Sequence, residues 1–142
     1  FKKAEIVSKK YKDSLIIGAD TIVYFDNKII GKPKDKKQAQ NHLRKLSDSV
    51  HYVYTGVSIL SDNLNLNLSL IDKTKVTFNK LSTNEINYYI DNYRPYDKAG
   101  SYGIQDWSSV FVKKIDGCFY NVVGFPLPKF YKLLNKLKLK KD

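Results

Sequence analysis

Residues 15–34 read LIIGADTIVYFDNKIIGKPK, and the reading of this stretch decides the fold. Apolar residues run from Leu15 into Gly18-Ala19, and then a carboxylate and a hydroxyl, Asp20-Thr21, appear inside a hydrophobic segment. A second apolar run, Ile22–Phe25, reaches Asp26-Asn27, a turn-favouring doublet. Leu15–Ala19 therefore reads as a buried strand. Thr21–Phe25 and Lys28–Ile30 are expected to pair across the turn and end on Gly31-Lys32-Pro33. A carboxylate flanked by β-branched residues is costly to bury without a partner. Two readings of Asp20 stay open on the local pattern: a turn between strands, or a carboxylate facing a site where a metal or substrate compensates it.

Working outward, residues 2–11 are helix formers with few breakers. Asp35 is an N-cap candidate with Gln38 three residues on, a capping-box spacing. Ala39, His42, Leu43 and Leu46 then mark one helical face. Val50–Leu60 is rich in strand formers, and Ser61-Asp62-Asn63 suits a hairpin turn. Leu64, Leu66, Leu68 and Leu70 alternate with polar residues, the period of a half-buried strand that continues toward Val76-Thr77-Phe78. Ser82 and Glu85 form a second capping box, followed by the stripe Ile86, Tyr89, Ile90 and Tyr93. Arg94–Gln105 reads as a polar loop, Val110–Ile115 as a strand, and Asp116-Gly117 as a hairpin into a further strand, Phe119–Val123. Gly124-Phe125-Pro126 opens a terminal helix lined by Phe130, Leu133, Leu134 and Leu137, whose end, KLKLKKD, is basic and suits the negative end of the helix dipole. Hairpins together with at least one longer crossover imply an α/β class with a twisted sheet of mixed parallel and antiparallel pairing, flanked by helices.

The chain of 142 residues has the size of one domain, and 42% hydrophobic content with 11 Tyr and 7 Phe argues against disorder. No apolar run approaches the roughly 18 residues of a membrane span, so no membrane partner is expected. A single cysteine, Cys118, rules out an internal disulfide and fits a reducing, cytoplasmic compartment. The net charge of +11 raises polymeric nucleic acid as a partner, but residues 129–142 alone carry +5 of it. Lysine dominates, with only Arg44 and Arg94 able to make bidentate contacts, so a solvated basic surface is the better reading. The chain has no methionine and begins at Phe1, which reads as part of a longer protein.

Three polar clusters stand out: Asp20-Thr21, Lys32 in GKP, and Asp97-Lys98 with Gln105 in DKAGSYGIQ. His42 and His51 lie in no metal-ligand spacing, and Cys118 has no partner pattern for nucleophilic catalysis. Neither a G-x-G-x-x-G nor a Walker-type phosphate loop is present, which excludes the Rossmann and P-loop readings.

Taken in order, GADT (18–21), GKP (31–33), LRKLS (43–47), HYVYTGV (51–57), DKAGSYGIQ (97–105) and VVGFPL (122–127) resemble the Maf family of nucleotide pyrophosphatases. The resemblance runs from about Lys3 to the final helix. It implies a two-lobed fold, related to the inosine triphosphatases, with a central cleft. It also implies hydrolysis of a nucleoside triphosphate to the monophosphate and pyrophosphate, with a divalent cation, Mg²⁺ or Mn²⁺. On the family pattern Asp20 is the catalytic carboxylate, as proton acceptor or metal ligand. Lys3 and Lys32 would contact phosphates, Lys98 could join them, and Thr21 and Gln105 match positions tied to substrate choice. GADT with AGSYGIQ is similar to the dTTP/UTP branch, and the Gln105 amide offers one donor and one acceptor to match O4 and N3–H of thymine or uracil. A modified purine nucleotide, or a non-catalytic module binding nucleic acid, are the alternatives. Relatives are often homodimers, so one is expected here. Two departures are visible: the family's S-x-S-P-R-R loop and first strand have no counterpart in residues 1–142, and Asp106 stands where relatives often have Gly.

Overall fold

The structure, a computed structural model, describes residues 1–138. The basic end of KLKLKKD beyond Lys138 lies outside the described residues. In chain order the elements are α1 (Lys2–Ser8), β1 (Ile16–Phe25), β2 (Lys28–Ile30), α2 (Lys36–Leu46), β3 (Val50–Ser61), β4 (Leu66–Phe78), α3 (Thr83–Tyr93), β5 (Val112–Asp116), α4 (Phe119–Val123) and α5 (Leu127–Lys138). Short 3₁₀ turns at Pro95–Asp97, Ala99–Ser101 and Trp107–Phe111 fill the connection from α3 to β5.

The five strands form one sheet in the order β2-β1-β3-β4-β5, and every pairing is antiparallel. The parallel pairing expected from the sequence is therefore absent among the described residues. The crossover itself exists, because α2 carries the chain from β2 over β1 to β3. That makes β2 and β3 run the same way, but β1 lies between them and pairs antiparallel with both.

Asp26 and Asn27 both adopt left-handed backbone (φ 49° and 57°), the type I′ geometry whose twist matches a hairpin. Asp35 caps α2 by accepting from the Gln38 N–H at 2.7 Å, while the Gln38 amide oxygen accepts from the Lys34 N–H at 2.6 Å. The reciprocal half of that box thus lands one residue early. The box at α3 is complete: Ser82 Oγ accepts from the Glu85 N–H, and Glu85 Oε2 accepts from the Ser82 N–H.

Phe119–Val123 is a helix, not the strand its β-branched composition suggests. The Gly124 N–H bonds the Tyr120 and Asn121 carbonyls at 3.1 Å each, closing the turn with φ at 119°. The helical turn also points Asn121 into the sheet, where it is fully buried and donates to the Val53 carbonyl and Thr74 Oγ1 at 3.0 Å each. These buried bonds outweigh local strand preference.

Residues 51, 53, 55, 57 and 59 of β3 point to the core face. Val53 belongs to an apolar cluster with Leu43 and Leu46 of α2, Ile86, Tyr89 and Ile90 of α3, and Phe78. Val57 and Ile59 belong to a second cluster with Phe130, Leu133 and Leu134 of α5. Thr55 falls between the two. A polar layer of Thr21, Thr55, Thr74 and Asn121 therefore separates two apolar masses, and the cleft opens where that layer reaches the surface.

Candidate active site

Asp20 occupies neither a turn nor a buried position. β1 runs unbroken through it, with Asp20 opposite Gly56 of β3. The pleat sends Asp20 and Thr21 to opposite faces, Thr21 with Ala19 and Val23 toward the core and Asp20 with Gly18 and Ile22 away from it. Gly18 leaves room for α1: a Cβ there would come within 2.9 Å of the Ala4 Cβ. This close approach lets Lys3 reach Asp20, with Nζ 2.6 Å from Oδ1. Both side chains are about two-thirds exposed, at 69% and 67%, so the burial cost anticipated for Asp20 does not arise. An ion pair this exposed adds little to stability. It fixes the carboxylate on the face of β1 opposite the Thr21 side chain, while Asp20 as a residue still borders the cleft.

The loop Arg94–Asp106 supplies the opposite wall and is tied down along its length. Gly100 donates its N–H to the Gly31 carbonyl at 3.1 Å, linking the loop to the GKP segment. Its left-handed φ of 72° and the proximity of Val23 require glycine there: a Cβ would meet Val23 Cγ2 at 2.8 Å. Ser101 Oγ bonds His42 Nδ1 at 2.8 Å, and the Tyr102 hydroxyl bonds His51 Nε2 at 2.8 Å beneath the cleft. His51 is fully buried, and burial pushes its pKa down to about 4, so it is neutral. His42, expected on the buried face of α2, is half-buried, and its pKa is lowered by burial and by Lys45.

Asp106 organises the end of the loop. Its carboxylate accepts from the Tyr89 hydroxyl at 3.0 Å, the Ser108 N–H at 2.9 Å and Ser108 Oγ at 2.8 Å. Its N–H in turn donates to the Gly103 carbonyl at 3.1 Å. The turn so fixed carries Gln105, whose exposed amide lines the cleft with no protein partner among the described residues. Lys98 Nζ donates to Asp97 at 3.0 Å, and this contact, reinforced by Lys32, lowers the pKa of Asp97.

Asp20, Thr21, Lys32, Asp97, Lys98, Tyr102, Gln105 and Val122 thus border one cleft of about 440 Å³. Six of the seven residues singled out from the sequence converge on it, from three separate segments. Lys3, the seventh, touches it through Asp20. Thr55, Tyr89, Asp106, Ser108 and Asn121 were not singled out, although Thr55 carries a signal: it is a polar residue on the inward phase of an alternating strand.

No group of three or more His, Cys, Asp or Glu side chains that could hold a metal is assembled among the described residues. A divalent cation could be held by the accessible Asp20 carboxylate, with water and phosphate oxygens completing its shell, a donor set that suits Mg²⁺.

Sheet, cleft and side chains together define an α/β protein with a polar, lysine-bearing cleft that presents a carboxylate, a hydroxyl and an amide. The family model described as Maf, Maf-like protein, matches residues 1–137, and the chain belongs to the Maf family. It is similar to the dTTP/UTP pyrophosphatase of Thermotoga petrophila, 47% identical over 135 residues that cover 94% of this chain and 65% of the relative. It is also similar to the dTTP/UTP pyrophosphatases of Clostridium botulinum, 49% identical over 138 residues (95% and 71%), and Carboxydothermus hydrogenoformans, 44% identical over 135 residues (95% and 73%). The chain therefore spans about two-thirds of the length of these relatives. No helix among the described residues is long and apolar enough to cross a membrane.

Proposed function

We propose that the protein is a nucleoside triphosphate pyrophosphatase that cleaves dTTP or UTP between the α and β phosphates, releasing the monophosphate and pyrophosphate. The observation that carries this reading is the convergence of Asp20, Thr21, Lys32, Lys98 and Gln105 on one cleft. The names of the similar proteins point the same way. Phosphoanhydride hydrolysis requires positioning, charge neutralisation and an activated water rather than covalent machinery. Lys32, Lys98 and Lys3 supply positive charge along the triphosphate, acting as point charges. Asp20 accepts the proton of the attacking water or holds the cation, and its contact with Lys3 aims it. A Mg²⁺ or Mn²⁺ ion bound at Asp20 would polarise the phosphate and acidify its water. Gln105 reads O4 and N3–H of the pyrimidine through its two-sided amide. A homodimer, implied by the family pattern, and a reducing, cytoplasmic compartment, which the single Cys118 fits, belong to the same proposal; sedimentation of the purified protein checks the first. A panel of nucleoside triphosphates, assayed side by side for free pyrophosphate, tests the substrate class. UTP and dTTP should lead it, and a purine nucleotide leading by tenfold or more would refute the pyrimidine assignment.

A further inference from the structure

The polar layer under the cleft contains a one-way chain of hydrogen bonds. A hydroxyl carries one proton and two lone pairs, so once its proton is committed it can only accept elsewhere. Thr55 Oγ1 lies 2.9 Å from the backbone carbonyl of Asn121, a group that can only accept, so the Thr55 proton is committed there. Thr21 Oγ1 lies 2.8 Å from Thr55 Oγ1. With the Thr55 proton spent, Thr21 must donate. Its remaining capacity is its lone pairs, and these face the cleft that Thr21 lines.

The carbonyl at the end of the chain is itself held firmly. The buried Asn121 amide donates to the Val53 carbonyl and to Thr74 Oγ1 at 3.0 Å each, and Thr74 Oγ1 donates to the Cys118 carbonyl at 3.0 Å. The N-cap and the middle of α4 are thereby pinned to β3 and β4. The same Asn121 carbonyl also accepts the Gly124 N–H at 3.1 Å, so it keeps a partner when Thr55 is altered. Gly124 leaves the space beside Thr21 open: a Cβ there would stand 3.5 Å from Thr21 Oγ1.

We propose that Thr55 is a positioning residue that locks Thr21 as a hydrogen-bond acceptor, so that the cleft selects at this point a ligand group bearing an N–H or O–H. This inference rests on the nucleotide reading given above. On a pyrimidine nucleotide that donor is a hydroxyl of the sugar, or the imide N3–H of uracil or thymine, which cytosine lacks, in which case Thr21 takes N3–H in place of Gln105 and the Gln105 amide keeps O4. A locked acceptor meets the N3 lone pair of cytosine with repulsion. A Thr21 freed from Thr55 can turn its proton toward that lone pair and accept the wrong base.

The test is Thr55→Val, which removes the hydroxyl at nearly constant volume, with Thr55→Ser as the conservative control. The readout is the ratio of kcat/KM for UTP over CTP, and for UTP over 3′-deoxyUTP, alongside a thermal melt. The expected result is a fall of about tenfold in one ratio for Thr55→Val, with the ratio retained in Thr55→Ser. A fall in UTP over CTP assigns the imide as the donor, and a fall in UTP over 3′-deoxyUTP assigns the sugar. Both ratios unchanged within about twofold in folded, active Thr55→Val would overturn the inference and leave the pyrophosphatase reading intact. If the variant does not fold, Thr55→Ala removes the same hydroxyl without the second methyl and is scored the same way. Failure of the unaltered protein to bind or cleave any of these nucleotides, by calorimetry and pyrophosphate release, overturns the nucleotide reading and this one with it.

Discussion

His51 couples acidity to the integrity of the cleft. Its imidazole is fully buried, packed edge-on against Phe78 with ring centroids 4.9 Å apart, and bonded to the Tyr102 hydroxyl that underlies the loop. No carboxylate is paired with it among the described residues, so nothing offsets the cost of charging it. Unfolded, the ring takes up a proton near pH 6.5, whereas folded it does so only at about 4. Between those values the unfolded chain binds the extra proton, so stability is complete above about 6.5 and falls as pH drops toward 4. A gap of about 2.5 pH units, at about 1.4 kcal/mol each, gives a loss of about 3 kcal/mol across this window. The assay is urea denaturation at pH 7, 6, 5 and 4, comparing the protein with His51→Gln, which cannot titrate. Subtracting the two curves cancels the carboxylates and His42. The stability difference should shrink by about 3 kcal/mol toward pH 4. Parallel curves would show that His51 is not held neutral by burial.

Two further outcomes follow from the anchoring of the loop. Gly100→Ala places a side chain in left-handed backbone and against Val23, and should cost about 2 kcal/mol in urea denaturation; a loss below about 0.5 kcal/mol would mean that the loop can re-route. Asp106→Ala removes the acceptor for Tyr89 and Ser108 and should raise KM for UTP about fivefold or more with a smaller change in kcat, whereas an unchanged KM would detach Gln105 placement from this clamp.

Much of the fold was legible because the periods are strong and the caps local. The alternating leucines of β4, the Asp26-Asn27 turn and the Ser82/Glu85 box each depend on residues within a few positions of one another. What failed depends on partners far along the chain. Phe119–Val123 has strand-like residues, but Asn121 is drawn inward by Val53 and Thr74, more than 45 positions away. Antiparallel pairing throughout depends on β1 sitting between β2 and β3, and no local pattern encodes strand order. Asp20 looked costly because its neighbours are β-branched, yet strand alternation turns it outward, and a helix crossing at Gly18 supplies Lys3. The cleft residues were recognisable as separate motifs. The groups that hold them, Asp106, Tyr89, His51 and Thr55, looked like ordinary loop, core and strand residues.

The central claim is that this cleft breaks the α–β anhydride with Asp20 at its chemical centre. The most direct measurement is the phosphorus spectrum of products formed from UTP with Mg²⁺, for the protein and for Asp20→Asn. The account predicts UMP and pyrophosphate in equal amounts, with turnover reduced at least a hundredfold, about 2.7 kcal/mol in barrier, by the substitution. Orthophosphate and UDP as the products, or turnover within tenfold in Asp20→Asn, would contradict it.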